Sequence, residues 1–298
     1  MARYQALDAL RGLTIALMIL VNTPGSWSYV YSPLLHADWH GCTPTDLVFP
    51  FFMFIIGSSM YFSFKKSNFE FTAAQLVRIL KRGLIIFAIG LFLNIYPFTT
   101  ALEDLRILGV LQRIALAYVI AAVIVLLFKR FSVIAISLAI LVGYWLLLLT
   151  VGQENAYSLE NNLVRIWDIN LLTENHLWQG KGLAFDPEGL LSTLPAVVSV
   201  LFGFEITRLI TSKEDKWLSI RWLIAIGAIA IIIGQIWGQY FPINKSLWTS
   251  TFVLYTSGIA CLVLAFFVWL CDVVSNKTLV NPLVVYGTNP LFVYVLSG

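Results

Sequence analysis

Residues 46–64 read DLVFPFFMFIIGSSMYFSF, and no charged side chain follows Asp46 until Lys65. At 1.5 Å of rise per residue such a run covers about 28 Å, close to the thickness of a bilayer's hydrocarbon core. Backbone in lipid must satisfy its own hydrogen bonds, which only helices and closed barrels do, so the run reads as a membrane helix. Comparable runs lie near 9–25, 83–98, 107–128, 132–151, 189–210, 221–239, 249–271 and 281–298. The expected fold is all-α: a polytopic membrane helix bundle of about nine transmembrane helices. No repeat, low-complexity tract or linker interrupts it, so residues 1–298 read as one transmembrane domain. The last run stops at LFVYVLSG without a basic flank or polar tail, which reads as a chain cut before its final helices.

Composition agrees with this class. The chain is 59% hydrophobic and 12% charged, with a mean hydropathy of +0.84, more apolar surface than a soluble domain can hide. In a membrane protein the placement of charge says more than the formal net charge of +3, so no nucleic-acid partner is inferred. Cys42, Cys261 and Cys271 are too few and too scattered for a disulfide framework or a metal site. The opening MARYQALDALRGL is basic but runs into an apolar segment without a small-residue cleavage site, so it reads as the first membrane helix.

Lys and Arg occupy every second connection. Arg3 and Arg11, Lys65 to Arg82, Lys129 and Arg130, Arg208 to Arg221, and Lys277 make 14 on one side, against Arg106, Arg113, Arg165, Lys181 and Lys245, 5 on the other. The positive-inside rule then places the N-terminus in the cytoplasm. Two outward segments, about 25–45 and 152–188, are long for a compact protein, and loops of that length are more often functional than idle. The second holds Glu154, Glu160, Asp168, Glu174, Asp186 and Glu188 against two basic residues, and equally fits a solvated loop with interfacial tryptophans.

Ionisable groups inside a membrane are expensive, about 3 kcal/mol each at a helix centre, and are candidates for function. Asp8 and Arg11, three apart in the first helix, share a face and can simply pair. Arg113 lies within an apolar run, where a guanidinium suits a phosphate or carboxylate ligand, or an ion pair with Glu103, Asp104 or Asp8. Asn22 closes the first helix in VNTPG, at the floor of the first long loop. That loop carries His36 and His40; a histidine there can act as base or proton shuttle, or be passive. Thr43-Pro44-Thr45-Asp46 fits a helix start with an acid at its third position. Asp186 and Pro187 read the same way ahead of the sixth span. Pro50, and Gly287 with Asn289-Pro290, are expected to kink or break their helices around a polar cavity.

Several stretches together resemble the transmembrane acetyltransferases related to heparan-alpha-glucosaminide N-acetyltransferase, including bacterial members. They are LDALRGLTIALMILVNTPG, LLHADWHGCTPTDLVFPFFMFIIGSSM, ILGVLQRIALAY, FDPEGLLSTLPAVVSVLFGFEITRLI, LWTSTFVLYTSG and NPLVVYGTNPLFVYV, in order across nearly the whole chain. The resemblance implies transfer of acetyl from cytosolic acetyl-CoA to an amino sugar or glycan on the far side of a membrane. It makes His36 the catalytic residue and sets Asn22 beside it, while His40 falls on no family histidine. Phosphates of the co-substrate would rest on Arg113 or the Lys65 to Arg82 cluster, and Asp8, Arg11, Asp46 and Asp186 would hold the cavity together. The chain lacks a large domain before its first helix, so a bacterial cell-envelope sugar and the inner membrane are the expected acceptor and location. Three rivals stand beside this reading: a secondary transporter coupled through Asp8 or Asp46, an O-acetyltransferase of an envelope polysaccharide, and a structural scaffold that binds no coenzyme A. Lipid-facing helices allow a homodimer without requiring one.

Overall fold

The computed structural model describes residues 4–152, 155–275 and 277–297; Arg3 and Glu154 lie outside them, as does the side chain of Lys277. Their regular secondary structure is all helical, with no strand among them. In chain order the helices are α1 (Gln5–Asn22), α2 (Val48–Lys65), α3 (Ala73–Ile95), α4 (Val110–Leu127), α5 (Arg130–Val151), α6 (Leu163–Leu172), α7 (Thr193–Thr211), α8 (Lys216–Trp237), α9 (Ser250–Val268), α10 (Lys277–Tyr286) and α11 (Pro290–Ser297).

The polytopic bundle is there, but the count of nine spans is not confirmed. Among the described residues seven helices are long and apolar enough to cross a bilayer: α1, α2, α4, α5, α7, α8 and α9. Helix α3 fills the place of the third expected span, yet it starts at Ala73 and carries Arg78, Lys81 and Arg82 in its first half. The last expected span is two short helices, α10 and α11, bent by 67° at residues 287–289. Asn289-Pro290 breaks the helix there because proline lacks an N–H and clashes with the preceding turn. Pro50 does not break α2, because it sits in the first turn, where its missing N–H would have had no helical partner.

Helices α2 and α7 form the centre. Gly57 faces the Val200 carbonyl and Gly203 faces the Phe54 carbonyl, so closely that a side chain at either glycine would run into backbone. Ser58 Oγ donates across the same seam to the Gly203 carbonyl at 3.3 Å. Small residues of this kind let membrane helices approach and gain dispersion contacts in place of a hydrophobic drive. Gly203→Val is expected to destabilise the fold by roughly 1–3 kcal/mol through overpacking, read as a lower melting midpoint in detergent. An unchanged midpoint would mean that α2 and α7 do not meet this closely.

A histidine–carboxylate centre at the head of a transmembrane cavity

The start of α2 builds the site. Asp46 sits in a short 3-10 turn, Pro44–Leu47, and is buried. Its Oδ2 accepts from Thr43 N–H, Thr43 Oγ1 and Ala37 N–H, each at 3.0 Å, so one carboxylate oxygen both caps the turn and folds the preceding loop over it. Its Oδ1 lies 2.6 Å from His36 Nδ1. A carboxylate only accepts, so this contact places the ring proton on Nδ1 and makes Nε2 the basic, accepting nitrogen of the ring. The capping and functional readings of Asp46 thus describe one side chain, with one oxygen for each.

Lys245, from the α8–α9 connection, completes the centre. Its Nζ lies 3.0 Å from His36 Nδ1, 3.4 Å from Nε2 and 3.4 Å from Asp46 Oδ1. Burial pulls the Lys245 amine below its ordinary pKa, against the opposing effect of the Asp46 and Glu188 carboxylates. The connection is riveted to the histidine loop by Asn244, fully buried, whose Nδ2 donates to the Trp39 carbonyl at 2.8 Å and lies 3.3 Å from His40 Nδ1. Gly41 N–H donates to the Ile243 carbonyl at 2.7 Å. The second long segment clasps the same loop, since Trp39 Nε1 donates to the Tyr157 carbonyl at 2.7 Å and Lys181 Nζ to the Asp38 carbonyl at 2.6 Å. Both long segments therefore converge on His36. His40 is a fastener, and burial lowers its pKa.

His36 looks into a cavity of about 580 Å³. Asn22, His36, Glu188 and Lys245 line one end, and Arg78, Lys81 and Arg82 the other. Between them the wall is apolar, with Val48, Phe52 and Ile56 following one face of α2 inward. Because α2 and α3 are joined by a short turn after Lys65, the first half of α3 with its cations lies toward the end of the bundle opposite His36. A second cavity of about 300 Å³ shares Phe52, Ile56, Arg82, Tyr118 and Pro290 with the first and adds Arg11, Ser59 and Ser63. The Arg82 guanidinium lies 5.1 Å from the Tyr118 ring centroid.

The other expected site residues are placed unevenly. Asn22, at the end of α1, shares the cavity with His36. Arg11 bonds Asp8 at 2.8 Å and also bridges Ser59 Oγ at 2.8 Å and the Gly287 carbonyl at 3.2 Å. It thereby ties the broken last span to α1 and α2. Asp186 does not open α7, which begins at Thr193. Its carboxylate instead holds Arg106 through two bonds of 2.8 Å and accepts the Glu188 N–H at 3.0 Å. Burial would lower the Arg106 pKa, but Asp186 and Glu188 outweigh it and raise it. Arg113 is buried, donates to Ser192 Oγ and the Gly189 carbonyl, lies 5.0 Å from the Trp248 ring centroid, and lines neither cavity. None of its expected acidic partners meets it in an ion pair among the described residues. Sequence reasoning passed over Lys245; its one signal was being among the few basic residues on the outward side.

Fold and site together define a polytopic membrane protein with a histidine–carboxylate centre joined through an apolar cavity to cations at its opposite end. The chain belongs to the heparan-alpha-glucosaminide N-acetyltransferase catalytic family, whose sequence profile matches residues 3–235. It is 27% identical to the Homo sapiens protein named heparan-alpha-glucosaminide N-acetyltransferase over 354 aligned residues, covering 98% of this chain and 52% of that relative. It is 26% identical to the Mus musculus protein of the same name over 353, covering 98% and 53%. The chain spans about half the length of these relatives.

Proposed function

We propose that this protein transfers an acetyl group from acetyl-CoA, entering at the Arg78–Arg82 end, to the amine of an amino sugar arriving at the His36 end. The single observation that carries the reading is the cavity that has His36, oriented by Asp46, at one end and three cations at the other. Coenzyme A is a phosphate-rich nucleotide joined to a thin apolar arm with a terminal thioester. Arginine and lysine suit its phosphates, the apolar wall suits its arm, and the thioester then reaches the histidine. Arg113, buried against Ser192 and Trp248, has the place of a support for the start of α7 rather than of a phosphate ligand.

At the far end His36 Nε2 takes a proton from the acceptor amine as nitrogen attacks the thioester carbonyl. The Asn22 amide faces the oxygen on which negative charge develops. With the α3 end of the bundle in the cytoplasm, the acceptor lies outside, and a cell-envelope sugar at a bacterial cytoplasmic membrane fits both ends. Reading the name of the relatives onto this chain supports an amine acceptor over a hydroxyl.

The direct test is transfer of radiolabelled acetyl from acetyl-CoA to glucosamine by purified protein in detergent. Label in a product that survives mild alkali, as an amide does and an ester does not, supports the reading. Label in an alkali-labile product makes it an O-acetyltransferase; no transfer and no coenzyme A binding removes the enzyme reading. Arg82→Ala is expected to raise KM for acetyl-CoA about tenfold or more, the worth of one charge-assisted hydrogen bond, and to leave KM for the acceptor within about twofold. An unchanged KM for acetyl-CoA would move the phosphate site away from α3.

A further inference from the structure

We infer that Lys245 is a catalytic residue, the cationic half of an oxyanion site whose neutral half is Asn22. The inference rests on the acetyl-transfer reading and adds a residue to it. Three observations carry it. Lys245 Nζ lies within 3.0 to 3.4 Å of both ring nitrogens of His36, so a carbonyl seated beside Nε2 on the lysine's side is also within reach of the ammonium. Lys245 lines the cavity together with His36 and Asn22. Its position is imposed by the chain rather than by a flexible arm alone. Asn244, immediately before it, is fully buried and accepts from Leu247 N–H at 2.8 Å, and its own N–H donates to Thr249 Oγ1 at 3.0 Å, while its amide holds the Trp39 carbonyl.

The charges around the lysine define what it can do. Asp46 faces it from the start of α2, His36 from the first loop, and Glu188, already held by Arg106 at 2.7 Å, from the segment before α7. Cys42 also lies near it. The ammonium has three N–H donors, and Asp46 Oδ1 and the His36 ring occupy two of them, so one is left for a ligand in the cavity. When the acceptor nitrogen attacks, the N–C bond forms and the carbonyl π pair moves to oxygen. The amine proton passes to His36 Nε2. The oxyanion is met by the Lys245 ammonium and the Asn22 amide. On collapse the C–S bond breaks, the electron pair leaves on the coenzyme A sulfur, and that thiolate takes the proton back from His36. A fixed cation at the oxygen stabilises charge that exists only at the transition state and so acts on kcat rather than on KM.

The test compares wild type with Lys245→Met and Lys245→Arg in the acetyl-transfer assay, with coenzyme A binding measured on each. Lys245→Met is expected to lower kcat by about 10²–10³-fold with KM for both substrates within about threefold and coenzyme A binding retained. Lys245→Arg, which keeps the charge, recovers at least about a tenth of wild-type kcat. A Lys245→Met enzyme with kcat within about threefold of wild type overturns the assignment while leaving the acetyltransferase reading intact. So does a variant that raises KM and lowers coenzyme A binding with kcat preserved, which is the mark of a structural or binding role. An arginine variant as slow as the methionine one also overturns it. A wild type that neither transfers acetyl nor binds coenzyme A overturns both proposals.

Discussion

His36→Ala is expected to lower acetyl transfer by about 10²–10⁴-fold, the usual contribution of a positioned general base. The loss should fall on kcat. The nearest coenzyme-binding candidates, Arg78, Lys81 and Arg82, lie at the other end of the cavity, so KM for acetyl-CoA should move little. Alanine also removes the Asp46 Oδ1 partner, but Oδ2 keeps its three donors from Ala37 and Thr43, so the loop should stay folded. Steady-state kinetics with a melting curve in detergent check both statements. Full activity in the alanine variant would remove His36 from the chemistry, whatever its geometry.

Asp46→Asn should be comparably damaging, roughly 10²–10⁴-fold on kcat, by a different route. The carboxylate accepts on both oxygens at once. An asparagine has one acceptor and one donor, so it can serve the loop backbone or His36 Nδ1–H, not both. If its oxygen stays with Thr43 and Ala37, its NH2 faces Nδ1 and favours the tautomer with the proton on Nε2, where the base is needed. If it turns the other way, the loop loses its cap. In that second orientation, unlike His36→Ala, the variant is expected to lower the melting midpoint or increase proteolysis of the 25–45 loop. A variant with wild-type kcat would mean that the 2.6 Å contact does not orient the histidine.

The class of fold was legible in the apolar runs because that signal is local, whereas the HADWHG loop and Asp46 were legible as a candidate site chiefly through the family resemblance. The count of spans was harder. Helix α3 starts ten residues before its apolar stretch, with its three cations inside the helix, where they face a cavity that no linear pattern reveals. The last run looked continuous in hydropathy although Asn289-Pro290 bends it. Arg113 stood out because it interrupts an apolar helix, but the same burial can serve packing against Trp248. Lys245 drew no notice as a site residue for the opposite reason: it sits in an ordinary polar connection, and the hydrogen bonds of Asn244 to a loop two hundred residues earlier in the chain bring it to His36. Long-range contacts of this kind leave no periodicity to read.

The central claim is that the donor and acceptor ends of one cavity lie on opposite sides of a membrane. It is tested by sealing acetyl-labelled acetyl-CoA inside proteoliposomes and supplying glucosamine outside, after checking that neither compound leaks. Labelled, alkali-stable N-acetylglucosamine outside, with coenzyme A kept inside and no product from His36→Ala vesicles, is the predicted result. Product formed only when donor and acceptor share a compartment would contradict the claim.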